Sequence, residues 1–230
     1  MRIGGFQKVS LIDYPGQISA VVFTQGCNFR CPYCHNPDLV DPCLYKDVQD
    51  PEAILSFLDM RKGKLDAVTL SGGEPTLQSD LPAFIQELRK MGYLVKLDTN
   101  GGLPETLKAL IDIGGMDYIA MDIKAPLNKY ASVTRSGIKE GKIKESIDII
   151  MASGMDYEFR TTVVPSLLTH EDLLTIARDI KNARRYVIQR FIPSNVLDTE
   201  FTGQKAYTMD EIKDMKEGLE KYLPHVMIRF

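Results

Sequence analysis

No apolar run in this 230-residue chain approaches the ~18 residues of a membrane span. The opening stretch, MRIGGFQKVSLIDYPG, lacks the continuous apolar segment and small-residue cleavage site of a secretory signal. The expectation is a cytoplasmic protein with reduced thiols and no membrane partner. Positive charge is not in excess either: 28 Lys and Arg stand against 31 Asp and Glu. A nucleic-acid binder needs a basic face, so no nucleic-acid partner is expected, and a pair such as Arg184-Arg185 reads as a solvated helix end. Low-complexity segments, linkers and repeats of fixed period are also missing, and one domain covering residues 1–230 is the economical reading. Cysteine is scarce at four residues, yet Cys27, Cys31 and Cys34 crowd into GCNFRCPYCHNP. A disulfide between any two would strand the third, with only Cys43 to spare, and a reducing pool keeps thiols free. Metal binding is the better explanation for the cluster.

What is present describes an ordinary globular chain, 44% hydrophobic and 26% charged, long enough to bury a core. Short β-rich runs cover Ile18–Thr24, Ala67–Leu70, Leu94–Leu97, Tyr118–Ile123, Tyr157–Val164 and Tyr186–Phe191. Between them, Pro51–Lys62, Leu81–Met91, Pro104–Ile113, Ile143–Ser153 and Glu171–Lys181 carry apolar residues at helical spacing. Pro51, Pro82 and Pro104 stand near helix starts, with Asp80 and Thr169 as expected N-caps. A last helix near Met209–Tyr222 leads into HVMIRF, a candidate edge strand. Six β–α repeats predict an α/β fold with a parallel sheet, curled into a partial (β/α)6 barrel. Ligands bind at the C-terminal ends of such strands. The segments TQGC, SGGEP, DTNG, DIKAP and RTTVVP fall there, which points to one shared site.

The metal can be narrowed. A structural zinc site takes four closed ligands, usually as two separated pairs, whereas this spacing is C-x3-C-x2-C on one loop. His35 or Cys43 could supply a fourth zinc ligand. An iron–sulfur cube normally takes four cysteines; one held by three leaves an iron open to a substrate. In SGGEP, Gly72 and Gly73 permit close backbone approach to a ligand, and Glu74 can accept hydrogen bonds from an ammonium group. A plain strand-to-helix turn is the bland alternative.

Cys27-x3-Cys31-x-Tyr33-Cys34, followed in order by the GGE segment, resembles the signature of the radical S-adenosylmethionine (SAM) superfamily. That resemblance implies a [4Fe-4S] cluster on the three cysteines whose open iron chelates the amino and carboxylate groups of SAM. Cluster reduction then cleaves the sulfonium to give methionine and a 5′-deoxyadenosyl radical. KLDTNG and AMDIKAP are similar to segments of the glycyl-radical-enzyme activases, which places Asp98, Thr99, Asn100, Asp122 and Lys124 around SAM. Asp98 and Asp122 end neighbouring strands, so they would repel unless a cation or Lys124 sits between them; a rim salt bridge is the alternative. By the same resemblance Tyr33 lies against the adenine, His35 brings its backbone near SAM as part of the activase-like triplet CHN, and Arg160 reaches the SAM carboxylate. Cys43 is expected to be a small, partly buried residue outside the motif, and His170 and His225 receive no role.

The lead-in SLIDYPGQISAVVFTQGCNFRCPYCHNPDLV is similar to that of the anaerobic ribonucleoside-triphosphate reductase activating proteins, relatives in task of pyruvate formate-lyase activating enzyme. The implied partners are a glycyl radical enzyme, an anaerobic ribonucleotide reductase first, and an electron donor such as flavodoxin or ferredoxin. A small-molecule enzyme like the 7-carboxy-7-deazaguanine synthases, which usually carry a CDT-like triplet, is the alternative within the superfamily. A non-catalytic iron–sulfur or zinc module is the alternative outside it.

Overall fold

The computed structural model describes residues 1–229; Phe230, the last position of the expected HVMIRF strand, lies outside them. Eight strands form one sheet whose spatial order follows the chain. They are β1 (Ile3–Ser10), β2 (Ser19–Thr24), β3 (Ala67–Gly72), β4 (Leu94–Thr99), β5 (Tyr118–Asp122), β6 (Asp156–Val163), β7 (Tyr186–Arg190) and β8 (Val226–Arg229). Strands β2 to β8 run parallel, and β1 pairs antiparallel with β2. The helices are α1 (Pro37–Val40), α2 (Pro51–Asp59), α3 (Leu81–Lys90), α4 (Pro104–Ile113), α5 (Tyr130–Thr134), α6 (Glu140–Ala152), α7 (His170–Asp179) and α8 (Met209–Leu219). No helix among the described residues is long and apolar enough to cross a membrane.

The central strands are buried on both faces, as a parallel sheet covered by helices requires. Helix α4 shows how the covering layer is specified. Pro104 opens it where a missing N–H costs little, Leu107 and Leu110 face the sheet, and Gly114, at φ 74°, turns the chain away. Thr169 caps α7 through a reciprocal capping box with Asp172, as expected of that threonine. Asp80 does not cap α3 with its side chain; its carboxylate pairs with the N-terminal amine of Met1 instead.

The architecture is a partial α/β barrel in which two strands flank the six of the expected repeats. β8 is the edge strand expected of HVMIRF and adds a seventh parallel strand. β1 was not expected at all, because IGGFQKVS has no strict apolar alternation: as an edge strand it leaves Gln7, Lys8 and Val9 to solvent. Among the described residues β1 and β8 do not pair, so the barrel stays open between them.

Candidate active site

The site is built where the ends of β2, β3 and β4 meet the cysteine loop. Beyond β3 the chain stays bonded to the segment that enters the loop: Gly73 N–H donates to the Thr24 carbonyl at 2.8 Å and Glu74 N–H to the Gly26 carbonyl at 2.7 Å. That approach leaves no room for a side chain. A Cβ at Gly73 would lie 2.1 Å from the Gly26 oxygen, and one at Gly72, whose φ is +121°, would lie 2.3 Å from the Thr24 nitrogen. The glycines therefore answer first to neighbouring backbone, a cause beyond the ligand approach expected of them.

Glu74 is 1% exposed and already heavily engaged. Its Oε1 accepts from the Thr76 N–H at 3.1 Å, the Thr76 hydroxyl at 2.5 Å and the Thr99 hydroxyl at 2.7 Å. Its Oε2 accepts from the Asn100 N–H at 2.7 Å. Burial raises its pKa, and those donors pull the other way. Glu74 thus ties the end of β3 to the end of β4, and only Oε2 keeps capacity for a further donor. Asn100 continues the connection: its amide donates to Asn28 Oδ1 at 2.7 Å and to the Cys27 sulfur at 3.6 Å. The Phe29 N–H reaches the same sulfur at 3.4 Å.

The far side of the loop is held by chain that the sequence left without a role. Leu197 and Asp198 N–H groups donate to the Cys34 and Pro32 carbonyls, both at 2.9 Å, so the segment after β7 lies across the loop as a strap. The Asp198 carboxylate pairs with Arg135 at 2.6 Å. His35 Nε2 donates to the Ile192 carbonyl at 2.7 Å, which commits its side chain to the strap.

These elements enclose a cavity of about 270 Å³. Cys27, Cys31 and Cys34 face it together with Tyr33, His35, Gly72, Gly73 and Glu74. Asp98, Thr99, Asn100, Asp122, Lys124 and Arg160 complete the set of expected residues, all of which the fold brings to this one space. Thr162 and Gln189, from the ends of β6 and β7, also line it and were not anticipated. Cys43 stays outside and is exposed, contrary to the expected partial burial, because it sits in the short turn Pro42–Leu44 that buries no residue.

Opposite the cysteines runs a row of alternating charge. Arg160 Nε donates to Asp122 Oδ1 at 2.6 Å and its Nη1 contacts Asp98 Oδ2 at 3.3 Å. Lys124 Nζ donates to Asp122 Oδ2 at 2.9 Å, and Lys96 Nζ to Asp98 Oδ1. Arg160 thus bridges the two carboxylates and outweighs the repulsion that remains between them. Burial alone would raise both aspartates; the neighbouring cations outweigh it and hold both carboxyls below their ordinary range. Lys96 was read only as part of a strand. Its signal was the Lys-x-Asp spacing, since positions i and i+2 of a strand share a face.

The donor set suits an iron–sulfur cluster with SAM. Burial pushes the Cys27 thiol up to about 11 and the Cys31 thiol up to about 12, and raises Cys34 too, so metal ligation must displace these protons. A structural zinc would need four closed ligands, and the loop offers three cysteines with the His35 side chain committed to the Ile192 carbonyl and Cys43 outside the cavity. A multi-iron cluster spreads its thiolates over separate irons. The Tyr33 hydroxyl is buried without a partner among the described residues, and its ring stands edge-on to Phe191 at 6.5 Å.

Residues 21–183 match the Radical SAM superfamily. A protein of Methanocaldococcus jannaschii, named as a candidate glycyl-radical enzyme activating enzyme, is 36% identical over 99% of this chain and 95% of its own. The pyruvate formate-lyase-activating enzyme of Clostridium pasteurianum is 30% identical over 98% of both chains. Among solved structures, Streptococcus suis SuiB bound to its precursor peptide SuiA aligns with a TM-score of 0.71 at 12% identity. The alignment covers 90% of this chain and 48% of that longer one, and the likeness is one of fold. Three cysteines on the loop after the first parallel strand, the GGE turn bonded to the loop's entry and a matching length of 163 residues agree: this chain is an enzyme of the radical SAM superfamily, with a [4Fe-4S] cluster and SAM as its cofactors.

Proposed function

We propose that this enzyme generates a glycyl radical on a large partner enzyme, and that the partner is an anaerobic ribonucleotide reductase. The observation that carries the activase reading is end-to-end similarity, 36% over 99% of the chain, to a relative named for that task. The open edge between β1 and β8 supports it, because a protein loop has a lateral way in that a closed barrel denies. The choice of reductase rests on the SLIDYPG…CNFRCPYCHNP lead-in. A pyruvate formate-lyase-type partner is the second reading, favoured by the Clostridium pasteurianum relative.

When bound, the cluster supplies an electron to SAM, and the adenosyl 5′ carbon receives the hydrogen. The protein's share is placement. Arg160 and Lys124 would hold the SAM carboxylate, the remaining capacity of Glu74 Oε2 would take its ammonium, and Tyr33 would offer a wall to the adenine. A docked glycine loop gains chiefly from proximity and exclusion of water. Flavodoxin or ferredoxin is the expected electron source.

The test mixes reduced, cluster-loaded protein and SAM with each candidate partner deuterated at glycine Cα. One deuterium in 5′-deoxyadenosine, and a glycyl radical signal in electron paramagnetic resonance that is a doublet with unlabelled partner and collapses to a narrow single line with the deuterated one, with the reductase and not the lyase, is the expected result. Transfer from the lyase alone would replace the partner. Transfer from a purine-like small molecule alone would replace the activase reading with the deazaguanine alternative.

A further inference from the structure

The row of charge opposite the cysteines contains one member with no obvious duty. Lys96 is 1% exposed, between Val95 and Leu97, whose side chains turn to the other face of β4. An ammonium held there gives up hydration that a neutral side chain would not lose. A methionine of similar length would fill the space without that cost, so packing does not explain the charge. Among the described residues its one side-chain hydrogen bond goes to Asp98 Oδ1.

The geometry around Asp98 shows what that bond does. Asp98 Oδ2 accepts from Ser71 at 3.2 Å and meets Arg160 Nη1 only at 3.3 Å, whereas Arg160 Nε lies 2.6 Å from Asp122. With Oδ1 occupied by Lys96, Asp98 does not draw Arg160 into a close two-point pair. The row holds three cations, Lys96, Arg160 and Lys124, against two carboxylates, and so carries one positive charge in surplus. Without Lys96 the row would be neutral and Arg160 would be spent on both aspartates.

We infer that Lys96 is a positioning residue for SAM: from beneath the site it fixes Asp98 and leaves the Arg160 guanidinium free to receive the ligand's carboxylate. The inference rests on SAM binding and not on the partner. Protein that binds SAM but activates no glycyl radical enzyme would remove the proposed partner and leave Lys96 untouched.

The test is calorimetric titration of anaerobic, cluster-loaded protein with SAM and, separately, with 5′-methylthioadenosine, which shares the adenosine and lacks the amino-acid end. Lys96→Met should keep its iron content and bind SAM about ten- to a hundredfold more weakly, the range for a lost contact to a charged group. Its affinity for 5′-methylthioadenosine should stay within about twofold of the parent's, because the lost charge serves only the carboxylate. Lys96→Gln, which keeps an N–H toward Asp98 and removes the charge, should show the same split and carries the test if Lys96→Met does not fold. Equal weakening of both ligands would mean general damage to the site, and unchanged SAM affinity would mean the charge is idle. Either result overturns the inference.

Discussion

Replacing Glu74 by alanine tests the claim that this carboxylate is first a structural knot. The substitution leaves four donors facing empty space: two hydroxyls, on Thr76 and Thr99, and two backbone N–H groups, on Thr76 and Asn100. The hydroxyls can rotate toward other acceptors. The backbone groups cannot, and each orphaned N–H costs about 1–3 kcal/mol. A total near ~3–4 kcal/mol follows, and for a chain of this size each kcal/mol lowers Tm by about 2–4 °C. The expected fall is therefore roughly 6–16 °C, read by thermal unfolding of the cluster-free protein under anaerobic conditions. Iron retention should fall as well, because Asn100 passes the connection on to the Cys27 sulfur. Glu74→Gln should land between, losing about 1–2 kcal/mol, since an amide accepts on one side and presents hydrogens on the other. If Glu74→Ala unfolds within about 2 °C of the parent and keeps its iron, the carboxylate is not a knot, and its expected duty toward the SAM ammonium becomes its main one.

Alanine at Cys27, Cys31 or Cys34 should take iron from about four atoms per chain to a small fraction of that, because a cube left with two thiolates is readily lost; Cys43→Ala should leave it unchanged, and iron and sulfide assays decide. Asp122→Asn should make stability less dependent on pH in the acid range. Burial opposes ionisation of Asp122, but Arg160 and Lys124 prevail and depress its pKa in the folded state. Its stabilising contribution is thus complete above pH ~4 and is lost as pH falls through the lower folded-state value. Urea unfolding from pH 7 down to pH 3 should show parent and variant far apart at neutrality and converging in acid; a constant gap would refute the assignment.

Which parts of this molecule were legible beforehand follows from what each part depends on. Buried parallel strands leave continuous apolar runs, and SAVVFT, AVTL and YIAMD were readable for that reason. The site loops were readable because polar residues cluster at the strands' C-terminal ends. β1 was not, since an edge strand with one wet face needs no pattern. The Glu74 partners were hidden because Thr99 and Asn100 approach from a different strand, 25 and 26 positions away. Lys96 was hidden inside a run whose neighbours are apolar. The strap was least legible of all: Leu197 and Asp198 act on the cysteine loop through backbone N–H groups, which any residue but proline supplies.

That strap bears on when the cofactor can be installed. The carbonyls of Pro32 and Cys34 are made before the N–H groups that hold them, which come more than 160 positions later. At the ~5–20 residues per second of translation, the cysteine loop waits roughly 8–30 s for its restraint. During that interval Cys27, Cys31 and Cys34 are three closely spaced thiols without their finished enclosure. A cluster delivered early would sit on a loop missing one wall.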